Sequence, residues 1–164
     1  MASKWKTLTG EPIEDVIALL KKHRGQPLHI GTDSLQTGRY TQFVTVVVLL
    51  DPPHGGRVFY QRDIVPRVTS LRERLMKEVW KSIDLAMQLP GHDLTIHIDA
   101  NPLEKHMSSK YLQELVGMVV GQGFKALWKP DSWAATHAAD HVVRIKGKLP
   151  DIGGEAHAAR RRSA

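Results

Sequence analysis

The hydrophobic and polar positions of this chain change period along its length, and each change predicts an element. Leu28-His-Ile-Gly-Thr-Asp33-Ser and Leu94-Thr-Ile-His-Ile-Asp99-Ala-Asn-Pro both carry apolar residues at alternate positions and then stop at an acid. A period of two is that of a half-buried strand, and it puts Asp33 on the polar side with His29, and Asp99 with His97. Each strand is therefore expected to deliver its acid at its C-terminal end. Ligands collect there in α/β sheets, because the strand backbones fix positions while the following loops stay open.

The rest of the chain supplies the partners of these strands. Glu11 to Gly25 has acids first, bases last, a terminal glycine, and Ile13, Val16, Ile17 and Leu20 at helical spacing, which predicts an amphipathic helix over about 11–25. The β-branched run Thr41–Leu50 predicts a central strand. Asp51-Pro-Pro-His-Gly-Gly56 predicts a turn and Arg57–Val65 a further strand, so the first three strands should form an antiparallel meander. Ser70-Leu-Arg-Glu73 has capping-box spacing and opens a helix to about Leu89, which Pro90-Gly91 ends. After the Asp99 strand the pattern gives a helix from Ser108 to about Val120, a short strand Phe124–Trp128, and a last alanine-rich helix to about Lys146.

Composition narrows what these elements can do. With 164 residues, 41% hydrophobic and 24% charged, the chain is long enough to bury a core as one domain, here placed at residues 1–150. No apolar run approaches the roughly 20 residues needed to span a bilayer, and the start lacks a secretory pattern, so a cytoplasmic protein without membrane contact is expected. The absence of cysteine removes disulfides, zinc–thiolate sites and thiol nucleophiles. A net charge of +6 and a pI near 9.7 favour a polyanionic partner, nucleic acid first. The small, polar and basic residues 151–164 read as a disordered tail.

Two strand acids on one polar side suggest a carboxylate site for a metal ion. Side chains advance by about 100° per residue around a helix, so the helices can be searched for further ligands. In the Ser70–Leu89 helix, Leu71, Leu75, Val79, Ile83, Ala86 and Leu89 make one apolar arc, and Glu78 lies at its edge, about 20° from Leu71. Glu73 lies on the far side and has its own task in the capping box. An acid bordering a core-facing stripe is costly unless something pairs with it, which makes Glu78 the third ligand. The last helix places Trp133, His137, Asp140 and Arg144 on one stripe, opposite Ala135, Ala138, Ala139 and Val142. His137 and Asp140, three apart, suit two ligands of one ion or an acid beside a general acid/base. Asp131 is either a cap of that helix or a competing ligand. His29, His92, His97 and His106 have no ligand spacing among themselves and read as strand or surface residues.

Three antiparallel strands followed by helix, strand, helix, strand and helix is an order that resembles the ribonuclease H fold. That implies a mixed five-stranded α/β sheet, three strands antiparallel and the rest parallel, flanked by helices. Asp33, Glu78, Asp99 and Asp140 stand where that superfamily places its acids. More narrowly, His29-Ile-Gly-Thr-Asp-Ser34, Ser70-Leu-Arg-Glu-Arg-Leu75, Ile96-His-Ile-Asp-Ala-Asn-Pro102, Gly123-Phe-Lys-Ala-Leu-Trp-Lys-Pro-Asp-Ser-Trp133 and Ala138-Ala-Asp140 resemble the YkuK-type ribonuclease H-like family. The likeness spans about residues 27 to 145. His137-x-x-Asp140 is also similar to the last-helix motif of bacterial Holliday-junction resolvases. Cellular ribonuclease H carries its last acid nearer the start of that helix, which keeps Asp131 as a competitor for the fourth position.

Hard oxygen donors select Mg²⁺ or Mn²⁺ over zinc, and the resemblance implies two ions about 4 Å apart astride a scissile phosphate. Asp33 would bridge them, Asp99 and Glu78 complete one, and Asp140 the other, with His137 ordering water or protonating the leaving group. Lys105, Lys129, Trp133 and Arg144 are the expected contacts to nucleic acid. The expected activity is hydrolysis of RNA in RNA–DNA hybrids. A junction endonuclease and a non-catalytic nucleic-acid-binding module are the alternatives, and the sequence leaves the oligomeric state open.

Overall fold

A computed structural model describes residues 4–51, 55–100 and 107–134. Its strands and helices follow in the order β1 (Trp5–Thr7), α1 (Val16–Lys21), β2 (Leu28–Thr37), β3 (Tyr40–Leu50), β4 (Gly56–Pro66), α2 (Leu71–Met87), β5 (Leu94–Ile98), α3 (Leu112–Gly121) and β6 (Lys125–Trp128). A 3₁₀ turn, Met107–Tyr111, leads into α3. All strands form one sheet in the order β1-β4-β3-β2-β5-β6. Pairing is antiparallel from β1 to β2 and parallel from β2 through β5 to β6. The meander and the parallel pair are those the hydrophobic pattern predicts.

Three expectations need correction. The sheet has six strands rather than five, because Trp5–Thr7 pairs antiparallel with Phe59–Gln61 of β4. Three residues are too short to show a period of two, so this strand is set by tertiary pairing. The N-terminal helix covers Val16–Lys21 and not 11–25. Pro12 is taken up in a bridge with Lys6, and the helix starts at Asp15, whose carboxylate accepts the Ala18 N–H at 3.0 Å. Finally, Asp33 is not at the end of its strand, since β2 runs on to Thr37. The turn to β3 is only Gly38-Arg39, with Gly38 at φ +54, a left-handed value that a residue without Cβ adopts freely.

What ends near Asp33 is the support from β5, whose pairing with β2 stops at Gly31↔His97. Beyond that point β2 is held on the β3 side alone. Continuing the parallel register by two residues sets Asp33 opposite Asp99, so the two acids share one end of the parallel pair and the same face.

The core lies mainly on the other face. Leu28, Ile30, Ile96 and Ile98 of the parallel pair meet Leu75, Val79, Ile83 and Ala86 of α2 and Leu115 and Val119 of α3, with Val16 and Leu20 of α1 closing one end. A smaller cluster on the Asp33 face holds Leu35, Val44, Val46, Val48, Tyr60 and Ala134, with Trp133 packed against it. Ser70 caps α2 as its spacing predicts, accepting the Glu73 N–H at 3.2 Å.

Two polar rungs fix α2 against β2. Ser34 meets Glu78, and one helical turn later Thr32 Oγ1 lies 2.8 Å from Ser82 Oγ. Two residues of strand advance about 6.7 Å and four residues of helix about 6 Å, so the spacings match when the elements run in opposite directions. Thr45 Oγ1, 3.1 Å from Thr32 Oγ1, extends the hydroxyl chain to β3.

Candidate functional site

The three acids singled out on described residues all lie at this end of the sheet. Asp33 is buried at 4% exposure, and its Oδ1 accepts the Ser34 N–H at 2.9 Å. Successive strand residues point to opposite faces, so Ser34 turns to α2 and donates its hydroxyl to Glu78 Oε1 at 2.5 Å. One dipeptide thus presents an acid on one face and holds the helix acid on the other.

Glu78 is buried at 6% exposure. Burial in the apolar arc pushes its carboxyl up to about 8, and the charge of Asp99 pushes the same way. The Ser34 hydroxyl, the Arg74 charge and the Ser34 N–H act in the opposite sense without reversing the shift. At neutral pH Glu78 therefore holds a proton, the response of a carboxyl that is both desolvated and beside another acid.

Asp99 follows β5 directly, and Lys129 follows β6 directly. Lys129 Nζ lies 2.9 Å from Asp99 Oδ1, with side chains only 20% and 10% exposed. The Lys129 N–H donates to the Ala100 carbonyl at 3.4 Å, so backbone and side chain both tie the ends of these neighbouring strands together. Lys129, expected on nucleic acid, is here the partner of an acid of the cluster.

A second group sits earlier on the same strands and the same face. His97, 2% exposed, accepts the Trp133 N–H at 3.0 Å and the Ala134 N–H at 3.4 Å on Nδ1. Backbone N–H groups can only donate, so in neutral His97 the proton is on Nε2, which donates to His29 Nδ1 at 2.8 Å. The Trp133 ring stands 4.6 Å from the His29 ring and 4.7 Å from the His97 ring, centre to centre. Burial, followed by the neighbouring His29, pulls His97 down to about 4. Burial likewise pulls His29 below its ordinary value, Asp93 opposes it, and Lys125 adds to the lowering.

Sequence reasoning missed this group, although its signal was present. The alternation that puts Asp33 with His29 and Asp99 with His97 already sets both histidines on the face of the acids. Their contact, between positions 29 and 97, has no local spacing to betray it.

Trp133 is thereby held in the protein, half-buried against the second cluster. Asp131 is exposed in the turn after β6, where its N–H donates to the Trp128 carbonyl at 2.8 Å. His137, Asp140, Arg144 and Lys105 lie outside the described residues, as do the last helix beyond Ala134 and residues 151–164. Among the described residues no three His, Asp or Glu side chains stand close enough together to hold a metal ion. The donor chemistry nevertheless suits a hard cation: oxygen donors only, one carboxyl raised by burial and by the charge of Asp99, another already on an ammonium group. No described helix is long and apolar enough to cross a membrane.

Comparison with known proteins gives three findings. A family model described as Ribonuclease H-like matches residues 11–144. The uncharacterized protein YkuK of Bacillus subtilis (strain 168) is 29% identical over 135 residues, covering 71% of this chain and 78% of its own. The crystal structure of RNase H1 from the halophilic archaeon Halobacterium salinarum NRC-1 aligns with a TM-score of 0.40 at 17% identity, covering 64% of this chain and 86% of that one. A likeness at that level is too distant to equate individual site residues.

Proposed function

Because the chain belongs to the ribonuclease H-like family, in its YkuK-type branch, we propose that it is a metal-dependent nuclease that hydrolyses phosphodiester bonds, with RNA in RNA–DNA hybrids as its first substrate. The observation that carries this reading is Glu78, buried on Ser34 at the end of the parallel pair that also presents Asp33 and Asp99. A protein that used these positions only for packing would gain stability from apolar residues there. Keeping acids in such a place makes sense where a cation completes them.

Asp33, Glu78 and Asp99, with Asp140 from the last helix, would hold Mg²⁺ or Mn²⁺. When bound, such ions supply positive charge to the scissile phosphate and to the attacking and leaving oxygens. The remaining tasks belong to the chain itself. Ser34 keeps Glu78 in place through its hydroxyl. Glu78 must lose its proton as a cation enters, so uptake is linked to proton release. His97 and His29 hold the Trp133 backbone, and hence the start of the segment that carries His137 and Asp140. His137 would serve as the proton donor to the leaving group.

The Lys129–Asp99 pair favours a second reading, a nucleic-acid-binding module of the same fold that has no need of metal. One measurement separates the two. A labelled panel of RNA–DNA hybrid, duplex RNA, single strands and a four-way junction is incubated with Mn²⁺ or Mg²⁺, using the wild type and Asp33→Asn. Cleavage of the hybrid that stops with chelator and with Asp33→Asn is the expected result. Cleavage of the junction instead would move the substrate to structured DNA. Salt-dependent binding without cleavage in both proteins would establish the module.

A further inference from the structure

The described residues contain five ion pairs, and one differs from the rest. In the Arg72–Glu114, Lys77–Glu73, Lys81–Asp63 and Lys125–Asp93 pairs every side chain is at least 30% exposed, whereas Lys129 and Asp99 are 20% and 10% exposed. Exposed pairs are weakly held and contribute little. A pair withdrawn from water sits where its charges are needed, because each partner left alone would be a buried charge. Lys129 is a cation already paired with an acid of the cluster.

Resting on the reading of this cluster as a cation site, we propose that Lys129 is its resident counter-ion in the metal-free protein, and that a divalent cation binds by displacing the Lys129 ammonium group from Asp99 into solvent. Two features support an exchange over a permanent tie. The ammonium is a compact charge on a flexible four-carbon stem, so it can leave by rotamer changes alone. Its backbone is fixed independently, through the Lys129 N–H on the Ala100 carbonyl, so departure of the side chain does not undo the junction of β5 and β6. A divalent cation brought onto the Asp99 oxygen that lies 2.9 Å from the ammonium would be repelled by it, so the two compete for that oxygen. Once displaced, the ammonium stands at the rim of the site, where a phosphate would meet it.

A purely structural lysine would behave differently. Its removal would weaken the fold at every metal concentration and leave metal affinity unchanged or reduced. The test uses the full chain, as wild type and as Lys129→Met, which keeps the apolar stem and removes the charge. Mn²⁺ is titrated calorimetrically at fixed ionic strength, and Lys129→Met is expected to bind at least about fivefold more tightly, the lower end of ordinary coupling between competing ligands. Reductive methylation of the wild type, read by mass spectrometry, provides a measurement free of any variant. Saturating Mg²⁺ should raise modification of Lys129 several-fold and leave Lys81, paired with Asp63, as it was. Mn²⁺ binding to both proteins with equal or weaker affinity in the variant, or metal binding without a change at Lys129, would overturn the exchange while leaving the cation site intact. Absence of Mn²⁺ binding in both proteins would overturn the site and the exchange together.

Discussion

Two groups of ionisable side chains are built around the same two strands, and they answer burial in opposite ways. His29 and His97 sit among rings, each imidazole contact is specified, and both are driven toward the uncharged form. Asp33 and Asp99 lie farther along, and Glu78, held from α2 by Ser34 and acted on by the charge of Asp99, is driven to keep a proton. The first group has settled its charge by having none. The second retains charge, which the ammonium group of Lys129 meets at Asp99. Burial of polar groups is thus used for anchorage in one place and for binding capacity a few residues away.

The largest effect should come from removing a charge of the second group. Asp33→Asn is expected to reduce hybrid cleavage by more than about a hundredfold, a size that changes outside a metal's own ligands already reach, with the melting temperature nearly unchanged. Full activity in that variant would erase the distinction between the groups. His97→Phe makes the opposite demand. It keeps a ring but leaves the Trp133 N–H without its acceptor, and should cost about 1–3 kcal/mol in urea unfolding.

The pH dependence of stability sharpens the contrast further. His97 is lowered in the folded state to about 4, so the unfolded chain binds the extra proton below its ordinary value. Its contribution is complete above about pH 6.5 and is lost as pH falls toward 4. Glu78 works in reverse. Its folded value near 8 exceeds the unfolded one, so the folded chain holds the extra proton, and stability declines as pH rises from about 4.5 to 8. Melting curves in chelator should show wild type losing stability across that interval relative to Glu78→Gln, with the variant the more stable of the two at pH 8. Parallel curves would mean that Glu78 titrates as an ordinary carboxyl. The smallest expected effect is that of Ser82→Ala, about 1 kcal/mol or less, because Thr32 keeps its contact with Thr45.

The sequence was most informative where periodicity speaks. The period of two placed Asp33 and Asp99 on one side, and the helical projection marked Glu78 at the edge of a buried arc, where the structure has it buried. Periodicity could not report that β2 continues to Thr37, since the alternation ends at Asp33 and only pairing with Tyr40–Phe43 extends the strand. Nor could it show a three-residue edge strand, or contacts such as His29–His97 and Lys129–Asp99. Those depend on which strands become neighbours, and no local pattern encodes it.

The most direct test of the cluster as a cation site follows the Glu78 carboxyl itself, by carbon-detected NMR titration of the labelled protein with and without Mg²⁺. Without metal it should titrate near pH 8, and saturating Mg²⁺ should bring it down to or below the usual carboxylate range. A Glu78 carboxyl that titrates near its ordinary value and ignores Mg²⁺ would contradict the cation site.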